Sequence, residues 1–198
     1  DMAATRKRKS TARKHRAATK PATKKKPTRR SGKSLSPATA NRKNLPYRPC
    51  VGVMLLNKDG LVFVGNRVDQ TVESWQMPQG GIDKGETAIE AARRELGEEV
   101  GTQQALLLRE TRDWITYDIP AQQRPAHWKG RWRGQAQKWV ALAFTGRDRD
   151  IDLDAHDDPH GPEFDTWKWA TRTEVLELIV PFKRAVYEAV LGEFKDLL

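Results

Sequence analysis

An α/β layered domain behind a disordered basic tail is the architecture this sequence predicts, and three observations carry the prediction. Large apolar residues are scarce where cations are dense. Short apolar runs alternate with turn chemistry from residue 46 onward. Two kinds of periodicity, strand-like and helix-like, share the same stretch of chain. Of the 198 residues, 37% are hydrophobic. Residues 1–45 contain no Ile, Val, Phe, Trp or Tyr, and Leu occurs there only as Leu35 and Leu45. Such a stretch buries too little apolar surface to offset the entropy of ordering it.

Charge divides at the same place. Sixteen cations against Asp1 alone give residues 1–45 a charge of +15; the whole chain carries +10, so residues 46–198 carry −5. The basic character belongs to the tail and the domain is mildly acidic. A dense run of Lys and Arg attracts polyanions by releasing their counterions, which makes nucleic acid its natural partner. A solubilising or cloning-derived extension and an organelle transit peptide are the other readings; Pro21, Pro27 and the missing apolar stripe weigh against the last. No signal-type apolar segment and no run of 18 uncharged apolar residues is present, so secretion and membrane spanning are not expected. Cys50 is the single cysteine, which excludes an internal disulfide and a cysteine-based zinc cluster and suits a reducing cytoplasm. Its apolar neighbours place it at the start of a buried strand.

Cys50–Leu56 is continuously apolar and predicts that strand; turn residues Asn57–Gly60 and the run Leu61–Val64 complete a hairpin. A short extended piece, Trp75–Pro78, leads into a glycine-rich loop, Gln79–Gly85. From Glu86 to Val100 the residues Ile89, Ala92, Leu96 and Val100 recur at helical spacing, and Gly101 stands where a helix C-cap is expected. Strands are expected at 105–110, 114–119, 138–145 and 167–170. A basic, Trp-containing irregular segment covers 120–137 and an acidic loop 148–158. Two helices, from about Arg172 and from about Pro181 to Leu197, close the chain.

Chemistry concentrates on the helix that follows the loop. Glu95, Glu98 and Glu99 are related by i, i+3 and i+4, so three carboxylates share one helix face. Unrelieved, they repel one another. Hard oxygen donors at this density suit Mg²⁺, with Mn²⁺ the alternative, rather than a soft metal. A plain acidic, solvated helix face is the alternative, and the glycine-rich loop upstream argues against it.

Gly80, then Glu86, then Arg94-Glu95-Leu96-Gly97-Glu98-Glu99-Val100-Gly101 match the Nudix box, and the chain here resembles the Nudix hydrolase family. One position departs: Thr102 stands where the family usually has an aliphatic side chain. The resemblance extends through Tyr47-Arg48-Pro49, the Trp75–Gly81 stretch, Gln135–Trp139, Pro162–Trp169 and Phe182–Tyr187. It looks like the branch that contains bacterial RNA pyrophosphohydrolases and dinucleoside tetraphosphate hydrolases, and it runs from Tyr47 to about Phe194.

That resemblance implies a Nudix-type α/β/α sandwich with a mixed sheet over residues 46–198. It also implies that Glu86 and Arg94 pair to hold the loop against the helix, with Gly80 and Gly101 structural. Glu95, Glu98, Glu99 and Glu163 become the metal-binding set, and Glu98 or Glu163 the residue that orients or deprotonates water. Arg48, Arg67 and Lys183 would face phosphates or an RNA backbone, and Tyr117 and Phe182 would stack on a base. His127, His156 and His160 lack ligand spacing. The implied reaction is in-line attack of water on phosphorus, assisted by metal ions that lower the pKa of water and neutralise developing charge. The implied substrate is the triphosphorylated 5′ end of RNA, leaving a 5′-monophosphate. Diadenosine tetraphosphate, damaged nucleoside triphosphates and a catalytically dead nucleic-acid-binding scaffold are the alternatives. A cytoplasmic monomer or small oligomer is expected.

Overall fold

The central strand of the sheet is the apolar run seen in the sequence, extended at its front: β1 spans Tyr47–Leu56 and is buried from Cys50 onward. It belongs to a computed structural model that describes residues 44–70, 72–154 and 161–198. Residues 1–43 of the tail, the last part of the acidic loop, His156 and His160 lie outside the described residues. A strand flanked on both faces reads as a continuous apolar run, because alternate side chains enter two different cores. Val51, Val53 and Leu55 pack with Ala91, Ala92, Leu96 and Val100 on one side. Met54 and Leu56 pack with Trp139, Ala141, Tyr187 and Val190 on the other.

Eight strands form one mixed sheet. β2 (Val62–Arg67) pairs antiparallel with β1 across the expected hairpin. β8 (Phe164–Ala170) pairs along the other edge of β2, while β3 (Trp75–Gln76) meets Gly65 and Asn66 on the edge opposite β8. β4 (Gln79–Gly81) is antiparallel to the front of β1, with Cys50 opposite Gly81 and Gly52 opposite Gln79. The remaining edge of β1 carries β7 (Gly134–Phe144) in parallel, from Tyr47 opposite Gly134 to Leu56 opposite Ala143. β5 (Ala105–Glu110) and β6 (Ile115–Asp118) pair with the two halves of β7.

Helix α1 (Ala88–Val100) covers one face of the sheet; α2 (Arg172–Leu178) and α3 (Arg184–Glu193) cover the other. This is the expected α/β/α sandwich. No helix among the described residues is long and apolar enough to cross a membrane.

Several boundaries differ from expectation. Gln79–Gly81 is strand rather than loop, because the front of β1 offers it backbone partners that its side chains do not advertise. The irregular segment ends at Arg133, since Gly134–Gln137 already pairs with β1. Helix α1 starts after Thr87, whose hydroxyl accepts from the Glu90 amide while the Glu90 carboxylate accepts from the Thr87 amide; Glu86 therefore precedes the helix. Only the middle of the last expected helix is α-helical, and Pro181–Lys183 and Lys195–Leu197 are 3₁₀ turns.

Gly101 ends α1 with a left-handed φ of 69°, and a Cβ there would stand 1.8 Å from the carbonyl oxygen of Asp152. Left-handed backbone with a side chain costs about 1–2 kcal/mol and a forced overlap about 1–3 more. Gly101→Ala should lose about 2–5 kcal/mol in chemical denaturation, and a loss below ~1 kcal/mol would mean that the cap is not what holds this end of the helix.

Candidate active site

Helix α1 and strand β4 build the site between them. Pairing with β1 holds β4 against the helix so closely that a Cβ on Gly80 would lie 1.9 Å from Glu95 Oε1. Only glycine admits the buried Glu95 carboxylate there. One residue earlier, the Gln79 amide donates to Glu99 Oε2 at 3.0 Å. Glu95, Glu98 and Glu99 line a cavity of about 260 Å³, and Glu163, Pro162, Val68 and Asp69 face them across it. The fourth carboxylate expected from the sequence is therefore brought to the first three.

Arg94 organises the helix side. Its guanidinium donates to both Glu86 oxygens at 2.9 and 3.0 Å, to Glu95 Oε1 at 2.7 Å, to Glu98 Oε2 at 2.9 Å and to the Gly81 carbonyl at 2.7 Å. The expected Glu86–Arg94 pair is present, although Glu86 reaches it from the loop. Arg67 organises the opposite side: it chelates Asp69 at 2.8 and 2.7 Å and forms an ion pair with Glu163. Asp69 escaped the sequence reading, since nothing in its spacing links it to Glu163.

Burial raises Glu99 well above the ordinary carboxylate range, and the nearby charges of Glu163 and Glu95 push it further. Burial likewise lifts Glu95 to about 6, against the opposing pull of Arg94. Among the described residues no three His, Cys, Asp or Glu side chains converge as a ready coordination shell; Arg94 and Arg67 engage the oxygens instead. The donor set nevertheless fits a hard dication. Four glutamates and Asp69 share one cleft, Glu95 and Glu99 among them buried, and a divalent cation would relieve their repulsion.

A second wall lies on the α3 side of the sheet. Lys183 is buried and donates to Gln76 Oε1 at 2.7 Å and Gln79 Oε1 at 3.2 Å. Gln137 donates to Gln79 at 3.0 Å and to Gln135 Oε1 at 3.0 Å, and Tyr117 donates to Gln135 at 2.6 Å. Burial, with the charge of Arg67 added, lowers the Lys183 ammonium to about 7. The Tyr117 and Phe182 rings lie 6.2 Å apart, but Tyr117 is buried, so Phe182 is the ring with open surface. Arg48 reaches across Gly81. Four glutamines connect this wall, and none had been singled out as a site residue, because a glutamine's role depends on partners distant in sequence. Gln76 Nε2 is buried without a hydrogen-bond partner among the described residues.

Residues 46–190 match the NUDIX domain model. The chain belongs to the Nudix family. Members typically depend on divalent metal ions. This Nudix chain is 44% identical over 164 residues to an RNA pyrophosphohydrolase of Rickettsia rickettsii (strain Sheila Smith), a match covering 83% of this chain and 99% of that one. It is 46% identical over 155 residues to the RNA pyrophosphohydrolase of Rickettsia prowazekii (strain Madrid E), covering 78% and 94%. Among solved structures, its Nudix fold resembles E. coli dihydroneopterin triphosphate pyrophosphohydrolase with a TM-score of 0.54 at 22% identity, covering 73% and 96% of the two chains. A C. elegans Ap4A hydrolase complex matches with a TM-score of 0.51 at 16% identity, covering 74% and 98%. These two likenesses are likenesses of fold.

The raised Glu95 carboxyl has a consequence for stability. Unfolded glutamate titrates near ~4.3, so between that value and about 6 the folded chain holds more protons than the unfolded one. This group's contribution therefore falls as pH rises through that window, by on the order of 2 kcal/mol in all. In chelator, the stability of Glu95→Gln relative to wild type should rise by that amount between pH 4.5 and 7. A difference that stays flat with pH would contradict the burial account.

Proposed function

We propose that this Nudix enzyme hydrolyses the triphosphorylated 5′ end of RNA, releasing pyrophosphate or phosphate and leaving a 5′-monophosphate. The observation that carries the reading is similarity of 44–46% to RNA pyrophosphohydrolases over nearly their whole length, combined with an intact carboxylate cleft. Cytoplasmic RNA 5′ ends are the proposed partner.

Mg²⁺, or Mn²⁺ in its place, would be held by Glu95, Glu98, Glu99 and Glu163, and supplies polarisation of phosphate oxygens and neutralisation of their charge. The chain supplies the rest. The Gln79 amide fixes Glu99, and Arg94 fixes Glu95 and Glu98, so the carboxylates face the cleft in a set order. Water oxygen attacks phosphorus in line, the anhydride P–O bond breaks, and the proton passes to a carboxylate. Of the four glutamates that line the cleft, Glu98 and Glu163 have the more exposed side chains, 49% and 35%, which supports either as the group that receives it. Lys183, held near neutrality by burial, gains a proton when phosphate arrives, and Gln76 Nε2 gains an acceptor. Arg48 and Phe182 border the same wall, as phosphate and base contacts.

Glu98→Gln and Glu99→Gln should each cut turnover of triphosphorylated RNA by about 10²-fold or more while the circular dichroism spectrum is kept. Full turnover in either variant would sink the scheme. Given triphosphorylated RNA and diadenosine tetraphosphate together, the wild type should process the RNA faster; the reverse preference would make it a dinucleotide hydrolase.

A further inference from the structure

Antiparallel neighbours such as β6 and β7 are ordinarily joined by a turn of a few residues. Here the connection is the 15-residue excursion 119–133. Connections this long inside a compact domain are uncommon and usually functional. Its composition is as unusual as its length: the domain carries −5, yet this segment holds Arg124, Lys129, Arg131 and Arg133 and no acid.

Three of these four cations are presented rather than paired with an acid. Arg133 is paired with Asp118 and lies over the Tyr47 ring at 5.0 Å. Arg124, Lys129 and Arg131 have no ion pair among the described residues. Arg124 and Arg131 each spend one Nε–H on a local carbonyl, of Ile119 at 2.9 Å and of Trp128 at 3.3 Å, which fixes the side chain and leaves the rest of the guanidinium fork open. Lys129 and Gly130 take left-handed backbone, φ 49° and 72°, and reverse the chain at an exposed tip. Trp128 is buried and Trp132 packs partly buried against the same core, so the segment is anchored from beneath.

Strand register places this segment beside the site. Tyr117, Gln135 and Arg48 are neighbours across β6, β7 and β1, and Asp118, Gly134 and Tyr47 form the next row. The excursion leaves and rejoins the sheet immediately beyond that second row. A strand whose 5′ phosphates lie in the carboxylate cleft, and whose first bases pass Phe182, continues over it. We propose that segment 119–133 is the seat of the RNA chain downstream of the processed end, with Arg124, Lys129 and Arg131 meeting its phosphates. The inference rests on the reading of the cleft as an RNA 5′-end site. Trp128 is buried and Trp132 is half-buried against the core, so both are engaged by the fold rather than offered to a bilayer, which favours RNA over an anionic lipid surface.

The test uses the full chain, a triphosphorylated RNA of about 20 nucleotides and a triphosphorylated trinucleotide. Three single-strand phosphate contacts contribute about 2 to the slope of log affinity against log salt. The triple variant Arg124→Gln, Lys129→Gln, Arg131→Gln should lower kcat/KM for the long RNA about tenfold at low salt, flatten its salt dependence by about that slope, and leave the trinucleotide unchanged. Arg124→Lys with Arg131→Lys keeps the charge, loses the Nε bonds and should retain long-RNA activity, which separates charge from folding. Equal losses on both lengths, or none on either, would overturn the seat. Anisotropy of a fluorescent 5′-monophosphate RNA reads the seat without catalysis. Weaker binding by the triple variant, together with a wild type that hydrolyses no RNA, would uphold the seat and reject the 5′-end activity. Unchanged RNA binding, with loss of binding only to anionic vesicles, would reject RNA as the occupant.

Discussion

Five carboxylates over one cleft repel one another, and the arrangement around them is organised by how that repulsion is offset in the folded chain. Arg94 carries the larger share. Its guanidinium touches Glu86, Glu95, Glu98 and the Gly81 carbonyl, so it ties loop, strand and helix to one charge. A lysine could not do this, because a point charge lacks the planar fork that meets several acceptors at once. Arg67 does the same for Asp69 and Glu163 on the opposite wall. The cost of gathering acids is thereby reduced but not removed, since Glu99 and Glu95 are still pushed upward in pKa by burial. That residual repulsion is what a bound divalent cation would relieve.

How much of this was visible in the sequence depends on the range of the interaction. The carboxylate face of α1 needed only helical spacing, and Gly101 needed only its place after the last apolar position; both are local. Strand β4 was missed because Gln-Gly-Gly has no strand propensity, and its pairing is decided by the bare front edge of β1, some thirty residues earlier. The front of β7 reads as loop in the sequence for the same reason. Glu86 reaches Arg94 as expected, but from the loop, because the capping box of Thr87 and Glu90 starts the helix two residues later, at Ala88. Thr102 shows the opposite lesson: a polar residue at an apolar family position is buried and accommodated, with its hydroxyl accepting from the Gln104 amide.

The second wall could not have been read locally at all. Gln79 meets Gln137 fifty-eight residues away and Lys183 more than a hundred away. Buried glutamines look like faults in a strand pattern until their partners are known, because an unpaired buried amide is costly and a paired one is not. Here they form a continuous polar path, from the Gln79 amide on Glu99 through Gln137 and Gln135 to Tyr117. Trp139, donating to Gln137 and standing edge-on to Tyr187, fixes that path against α3, and Tyr187 in turn receives the Met77 amide.

Those contacts explain why the two faces of one sheet contribute to one site. The carboxylates come from the α1 face and Lys183 from the α3 face; they meet where β1 and β4 are short of side chains, at Gly80, Gly81 and Gly52. Gly52 is there because a Cβ would stand 2.5 Å from the Trp139 ring, and Gly80 because one would strike Glu95. Each glycine lets a large group on one face approach the sheet closely enough to act with the other face. The acidic domain thus concentrates negative charge in the cleft, where charge-bearing substrate and cation must be matched, while unpaired positive charge is kept on the excursion beside it. A polyanion approaching this surface meets attraction first along its chain and repulsion only at its end. That ordering favours a substrate long enough to use both, and it follows from where the cations sit rather than from the Nudix box.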